Sequence, residues 1–212
     1  MNVGTREALD LAVAWVALGV AFTVFLRREV ADALFVGLAG DLPTGLLAVA
    51  GRAFLLSMVT VGVGFLLHEL AHKVVAIRFG QRAQFRADYG MLLLAIAGAF
   101  VGFLFAAPGA VYHRGRITAR QNGLIALAGP VTNLGLALVF APLVIFQLPG
   151  FLGEVGALGV GINLLLAGFN MIPFGPLDGR SVLRWSKIVF VLTFVPSAAL
   201  AVFGLFFLSS AL

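Results

Sequence analysis

The feature that most constrains this chain is a succession of apolar stretches of membrane-span length, parted by short segments that hold nearly all of its charge. The stretches run over Leu11–Leu26, Ala53–Phe79, Leu124–Phe146, Val155–Ile172 and Ile188–Leu208. A bilayer core about 30 Å thick takes roughly 20 apolar residues as a helix, and a helix satisfies all its backbone polar groups within itself. The expected fold class is therefore an all-α polytopic membrane protein with five to six transmembrane helices. Composition agrees, since 11% of the residues are charged where a soluble domain carries about 25%. A water-soluble globular protein is excluded, and the lipid bilayer is the first expected partner.

Two further segments decide the topology. Val30–Gly51 holds Asp32, Asp41 and a Leu42-Pro43 break, and reads as an interfacial helix followed by a turn. Gly90–Val111 is apolar but carries four glycines and a Pro108-Gly109 pair. If it crosses the bilayer, the 14 basic residues divide nine to five between the two faces. If it dips in and returns, eleven share one face and only Arg27, Arg28 and Arg52 lie opposite. The positive-inside rule prefers the second arrangement, so the expectation is five spans plus a re-entrant or short β element after the second helix. The net charge of +5 then belongs to cytosol-facing loops, and no nucleic-acid partner is expected. Arg6, Glu7 and Asp10 precede the first span and no small-residue cleavage site follows it, which favours a retained helix over a signal peptide. The chain divides into residues 1–52 (first transmembrane helix and interfacial segment), 53–187 (core) and 188–212 (C-terminal transmembrane helix).

Cysteine is absent, so thiolate metal sites and cysteine nucleophiles are excluded, and any metal must be held by His, Asp or Glu. Inside the second apolar helix stands His68-Glu69-Leu70-Ala71-His72, the pattern H-E-x-x-H. Residues at i and i+4 share a helix face, so both imidazoles can reach one zinc ion while the intervening Glu deprotonates water beside it. An intramembrane Glu between histidines is costly without a task. A catalytic zinc needs a third protein ligand. Asp178 is the best placed, in the Pro176-Leu177-Asp178-Gly179 turn after a helix that ends at Asn170-Met171-Ile172-Pro173. The re-entrant topology brings it to the same membrane face as His68 and His72. His113 reads as a loop residue rather than a fourth ligand, and Asn133 and Asn163 as hydrogen-bonding glue between helices.

The pair H-E-x-x-H at His68–His72 and N-x-x-P-x-x-x-L-D-G at Asn170–Gly179 resembles the site-2 protease family of intramembrane zinc metalloproteases. The stretch Ala128-Gly129-Pro130-Val131-Thr132-Asn133 is similar to that family's intermediate motif, and the likeness covers about 65–187. The resemblance implies one zinc per chain on His68, His72 and Asp178, Glu69 as the catalytic base, and Asn170 as a donor to the substrate oxyanion. It implies hydrolysis of peptide bonds within or near the transmembrane helices of membrane-protein substrates. It also implies a site turned toward the cytosol, as the charge count does; the expected location is the plasma membrane of a prokaryote. The chain departs from many members in having no PDZ or CBS module.

A substrate helix must unwind before hydrolysis, and an unwound chain can add to a strand edge; Val111-Tyr112 or Gln84–Arg86 are the expected edges. Two rival readings remain open. An unrelated membrane H-E-x-x-H protease would use a Glu as third ligand, and Glu154, the only later one, is poorly placed. A membrane cation or proton transporter would use the same His and Asp cluster, and predicts inverted repeats that the sequence does not display.

Overall fold

Twelve elements follow in order in the computed structural model, which describes residues 3–37, 44–103 and 108–211. They are α1 (Thr5–Leu26), α2 (Arg28–Gly37), α3 (Leu46–Ser57), a π turn (Met58–Gly62), α4 (Val63–Arg78), β1 (Arg82–Ala87), α5 (Tyr89–Phe100), β2 (Gly109–Arg114), α6 (Ala119–Ile145), α7 (Gly150–Asn170), α8 (Asp178–Trp185) and α9 (Lys187–Ala211). Among the described residues, five helices are long and apolar enough to cross a membrane: α1, the continuous Leu46–Arg78 helix, α6, α7 and α9. The chain is an all-α polytopic protein with one small sheet.

The spans begin earlier than apolarity alone indicates, because early polar residues find distant partners. The first helix starts at Thr5 rather than Leu11: Glu7 pairs with Lys73 of α4 at 2.6 Å and accepts from the Phe85 N–H of β1 at 3.0 Å, while Asp10 accepts from the Tyr89 hydroxyl at 2.6 Å. The second span starts at Leu46, so residues 46–52, expected in the interfacial segment, are its first turns. Gly51-Arg52 does not break it because Arg52 bonds Glu154 at 2.9 Å and lies over the Phe151 ring. Asp41 and the Leu42-Pro43 break fall outside the described residues. The segment 147–154 between the third and fourth apolar stretches includes the start of α7 at Gly150. On α6 the Thr118–Gln121 capping box sets the helix start, satisfying two end groups reciprocally.

The segment after α4 returns to its starting point. β1 and β2 pair antiparallel from Arg82↔Arg114 to Ala87↔Gly109, and the Asp88 N–H bonds Pro108 O at 3.0 Å. Between them α5 has 12 residues, about 18 Å of helix, too short to cross a core of about 30 Å. The segment therefore leaves and rejoins the sheet at the same end, as the re-entrant arrangement requires. The inner face of the sheet carries Phe85 and Val111, packed into a cluster with Leu18 and Phe22 of α1 and Phe65 of α4, Phe85 standing edge-on to Phe65. A second cluster joins Ala126 of α6, Met171, Val182 of α8 and Phe190 of α9, and seats the short α8 across the end of the bundle.

Candidate metal centre

Asp178, His68 and His72 converge as the sequence predicts. Their ligand atoms all lie within 4.8 Å of one another, with Asp178 Oδ2 3.3 Å from His68 Nε2 and 3.4 Å from His72 Nε2. The His68 and His72 rings stand nearly perpendicular, with centroids 4.6 Å apart. Asp178 comes to this point because α7 stops at Asn170 and α8 starts with Asp178 itself. Gly179 is sterically required there, since a Cβ would collide with the Met171 carbonyl.

The other ring nitrogens fix the tautomers. His72 Nδ1 lies 2.7 Å from Ile125 O, and His68 Nδ1 lies 2.5 Å from Asn133 Oδ1. Both partners accept, so each Nδ1 carries the proton and each Nε2 presents a lone pair to the shared space. Asn133 has no freedom in this: its Nδ2 already donates to Gly64 O at 3.2 Å and to Asn163 Oδ1 at 2.8 Å. Asn163 in turn donates to Gly159 O. The two asparagines read from sequence as glue thus also orient a ligand. Nothing in sequence separates the roles, because a helix-bonding and a histidine-bonding asparagine look alike in an apolar helix.

These residues fit a zinc ion. Asp178 Oδ2 is buried without a hydrogen-bond partner, and it faces two imidazole lone pairs, so three electron-rich atoms surround one space with no donor among them. The edge of a tetrahedron with bonds of about 2.05 Å is about 3.3 Å, the separation observed from Asp178 to each histidine. Gly129 keeps the space open: a Cβ there would lie 2.5 Å from His68 Nε2 and 2.6 Å from His72 Cε1.

Glu69 is buried beside the triad, and its carboxylate accepts from the Val111 backbone N–H. Asn170 is half-buried, and its Nδ2 donates at 2.9 Å to Leu166 O of its own helix. His113 lies on β2, outside the cluster. The π turn stands immediately N-terminal to α4; Trp15 Nε1 donates to Met58 O within it at 3.0 Å. A π turn shifts the helical register of everything after it and recurs at functional sites.

Two histidines and a buried carboxylate on a helix long and apolar enough to cross a membrane, with Asp178 of α8 as a third potential ligand, make a metal centre of the kind a membrane metallohydrolase needs. Comparison with known proteins makes the class narrower. Over 146 residues, 68% of this chain and 76% of the relative, the sequence is 45% identical to "Putative zinc metalloprotease MJ0611" of Methanocaldococcus jannaschii. It is 33% identical over 150 residues to "Putative zinc metalloprotease YwhC" of Bacillus subtilis, covering 60% of this chain and 67% of that one. It is 32% identical over 143 residues to "Putative zinc metalloprotease Rip3" of Mycobacterium tuberculosis, covering 66% of this chain and 31% of that one. No family model and no solved structure matches. The chain belongs to the zinc metalloprotease family of these relatives, consistent with the site-2 protease resemblance of its motifs.

Proposed function

We propose that this protein is an intramembrane zinc endopeptidase that cleaves peptide bonds within or near the transmembrane helices of membrane-protein substrates. The observation that carries the reading is the depth of the triad in a spanning helix. Arg52, paired with Glu154 and largely exposed, marks one interface, and His68 lies 16 residues further, about 24 Å at 1.5 Å per residue. That is inside a core of about 30 Å, near the end where β1, β2, α8 and their arginines gather. By the positive-inside rule this end faces the cytosol.

His68, His72 and Asp178 would hold the zinc, which when bound polarises the scissile carbonyl. The Glu69 carboxylate takes a proton from the attacking water and delivers it to the leaving amine. Asn133 and Ile125 hold the imidazoles in the ligating tautomer. Asn170 would turn from Leu166 O to donate to the carbonyl oxygen of the substrate.

The sheet supplies an edge for the unwound substrate, and the structure favours one of the two expected from sequence. Phe85 N–H points out of the ladder to Glu7 of α1, and α1 packs along this side of the sheet, so the outer edge of β1 is covered by a helix. The register partner of Phe85, Val111, likewise points outward, and there the N–H meets Glu69. A strand added to β2 would therefore run past the catalytic carboxylate. Val111→Pro removes this outward N–H without removing a ladder bond. It is expected to cut turnover at least about tenfold with zinc content unchanged; full activity in a cleavage assay on a membrane-embedded substrate would refute strand addition.

Asn133→Ala tests the orientation of His68. Loss of such an outer partner typically lowers metal affinity roughly 10–100-fold, and chelator competition on purified protein reads that change. Affinity equal to wild type would show that Asn133 only joins helices.

A further inference from the structure

The outer face of the sheet carries a charge arrangement that the chain itself does not balance. Strand alternation puts Arg82, Gln84 and Arg86 of β1 on this face with Tyr112 and Arg114 of β2, and the exposed positions of β2 alternate accordingly. Arg82 and Arg114 are direct register partners, an opposition of like charges that destabilises a sheet. Among the described residues none of the three arginines makes an ion pair, and Arg86 bonds Gln84 Oε1. Together with Gly4 and Glu7 at the start of α1 they line a cleft of about 690 Å³. Glu7 does not neutralise it, being committed to Lys73 and to the Phe85 N–H. The lining contains no large aliphatic side chain, so nothing there would seat the acyl chains of a lipid.

The geometry points to an acidic segment of the substrate chain, flanking the scissile bond, as the occupant of this cleft. This rests on the reading that substrate adds to β2. An added strand sends alternate side chains to the outer face, level with Tyr112 and Arg114, and Arg82 lies one strand further, about 4.8 Å beyond. Val111 marks the position of Glu69, and Arg114 is three residues along, about 10 Å. Asp or Glu two to four residues from the cleaved bond would reach the arginines, whose guanidinium forks match carboxylates. The arginine face selects substrates by charge while the triad cleaves them.

The test uses the full-length protein in phosphatidylcholine vesicles and two transmembrane substrates that differ only in carrying Asp-x-Glu or Lys-x-Lys in that flank. Wild type is expected to prefer the acidic substrate about tenfold or more in kcat/KM, mainly through KM, with the preference shrinking at high salt. Arg82→Glu with Arg114→Glu is expected to reverse the preference, and Arg82→Gln with Arg114→Gln to erase it. No preference in wild type, or the same preference in all three, overturns the inference. If phosphatidylglycerol raises cleavage of both substrates equally and the Glu variant loses that response, the cleft belongs to lipid headgroups and the inference falls. Val111→Pro separates the layers. If it is as active as wild type, strand addition fails and takes this inference with it; if it is inactive while the arginine variants keep wild-type selectivity, only this inference fails.

Discussion

Replacing Glu69 with glutamine is expected to cut cleavage of a membrane-embedded substrate by roughly 10²–10⁴-fold while the purified protein keeps its zinc. Glutamine has nearly the same shape, and its Oε1 can still accept the Val111 N–H that meets the carboxylate, so neither the helix nor the sheet needs to move. What is lost is the group that takes a proton from water and gives it to the leaving amine. Zinc analysis paired with a cleavage assay decides the matter: unchanged cleavage would end the protease mechanism. The same variant tests the transporter reading, which expects altered ion coupling and an intact peptide whether or not Glu69 is present.

Asp178→Asn should fail in the opposite way, losing the metal first and activity as a consequence. The asparagine oxygen can still face His68 and His72, but without the negative charge that faces a dication. The loss of zinc affinity is expected to exceed the roughly 10–100-fold typical of an outer partner. A second readout is independent of turnover. Added zinc should raise Tm strongly in wild type and little in the variant, since a ligand that binds only the folded state stabilises it more the tighter it binds. An equal zinc-induced rise in both proteins would remove Asp178 from the ligand set.

The H-E-x-x-H pattern and the Asp-Gly turn were legible because their chemistry is written in local spacing, and the spans because hydropathy is additive along a helix. The boundaries that moved depend on partners far away. Arg52 looks like an interruption until Glu154, 102 residues on, is seen beside it, and Glu7 and Asp10 look like a pre-helical tail until Lys73 and Tyr89 meet them. The pairing of Arg82–Ala87 with Gly109–Arg114 is likewise non-local, with an apolar helix between the strands that conceals it. Asn133 and Asn163 were visible as residues, but their relay to His68 requires three helices to be in place at once.

The closed hairpin has an architectural consequence. The chain leaves the sheet at Asp88 and rejoins it at Pro108 through one backbone bond, and between these points α5 packs Leu92, Ala95 and Ala99 against α1 and α2. The strand register is set outside this helix, by the pairing of Arg82–Ala87 with Gly109–Arg114. Substitutions on the outward face of α5, at the exposed Leu93 and Leu94, would change what the protein meets in the lipid while the register that brings Val111 to Glu69 is preserved.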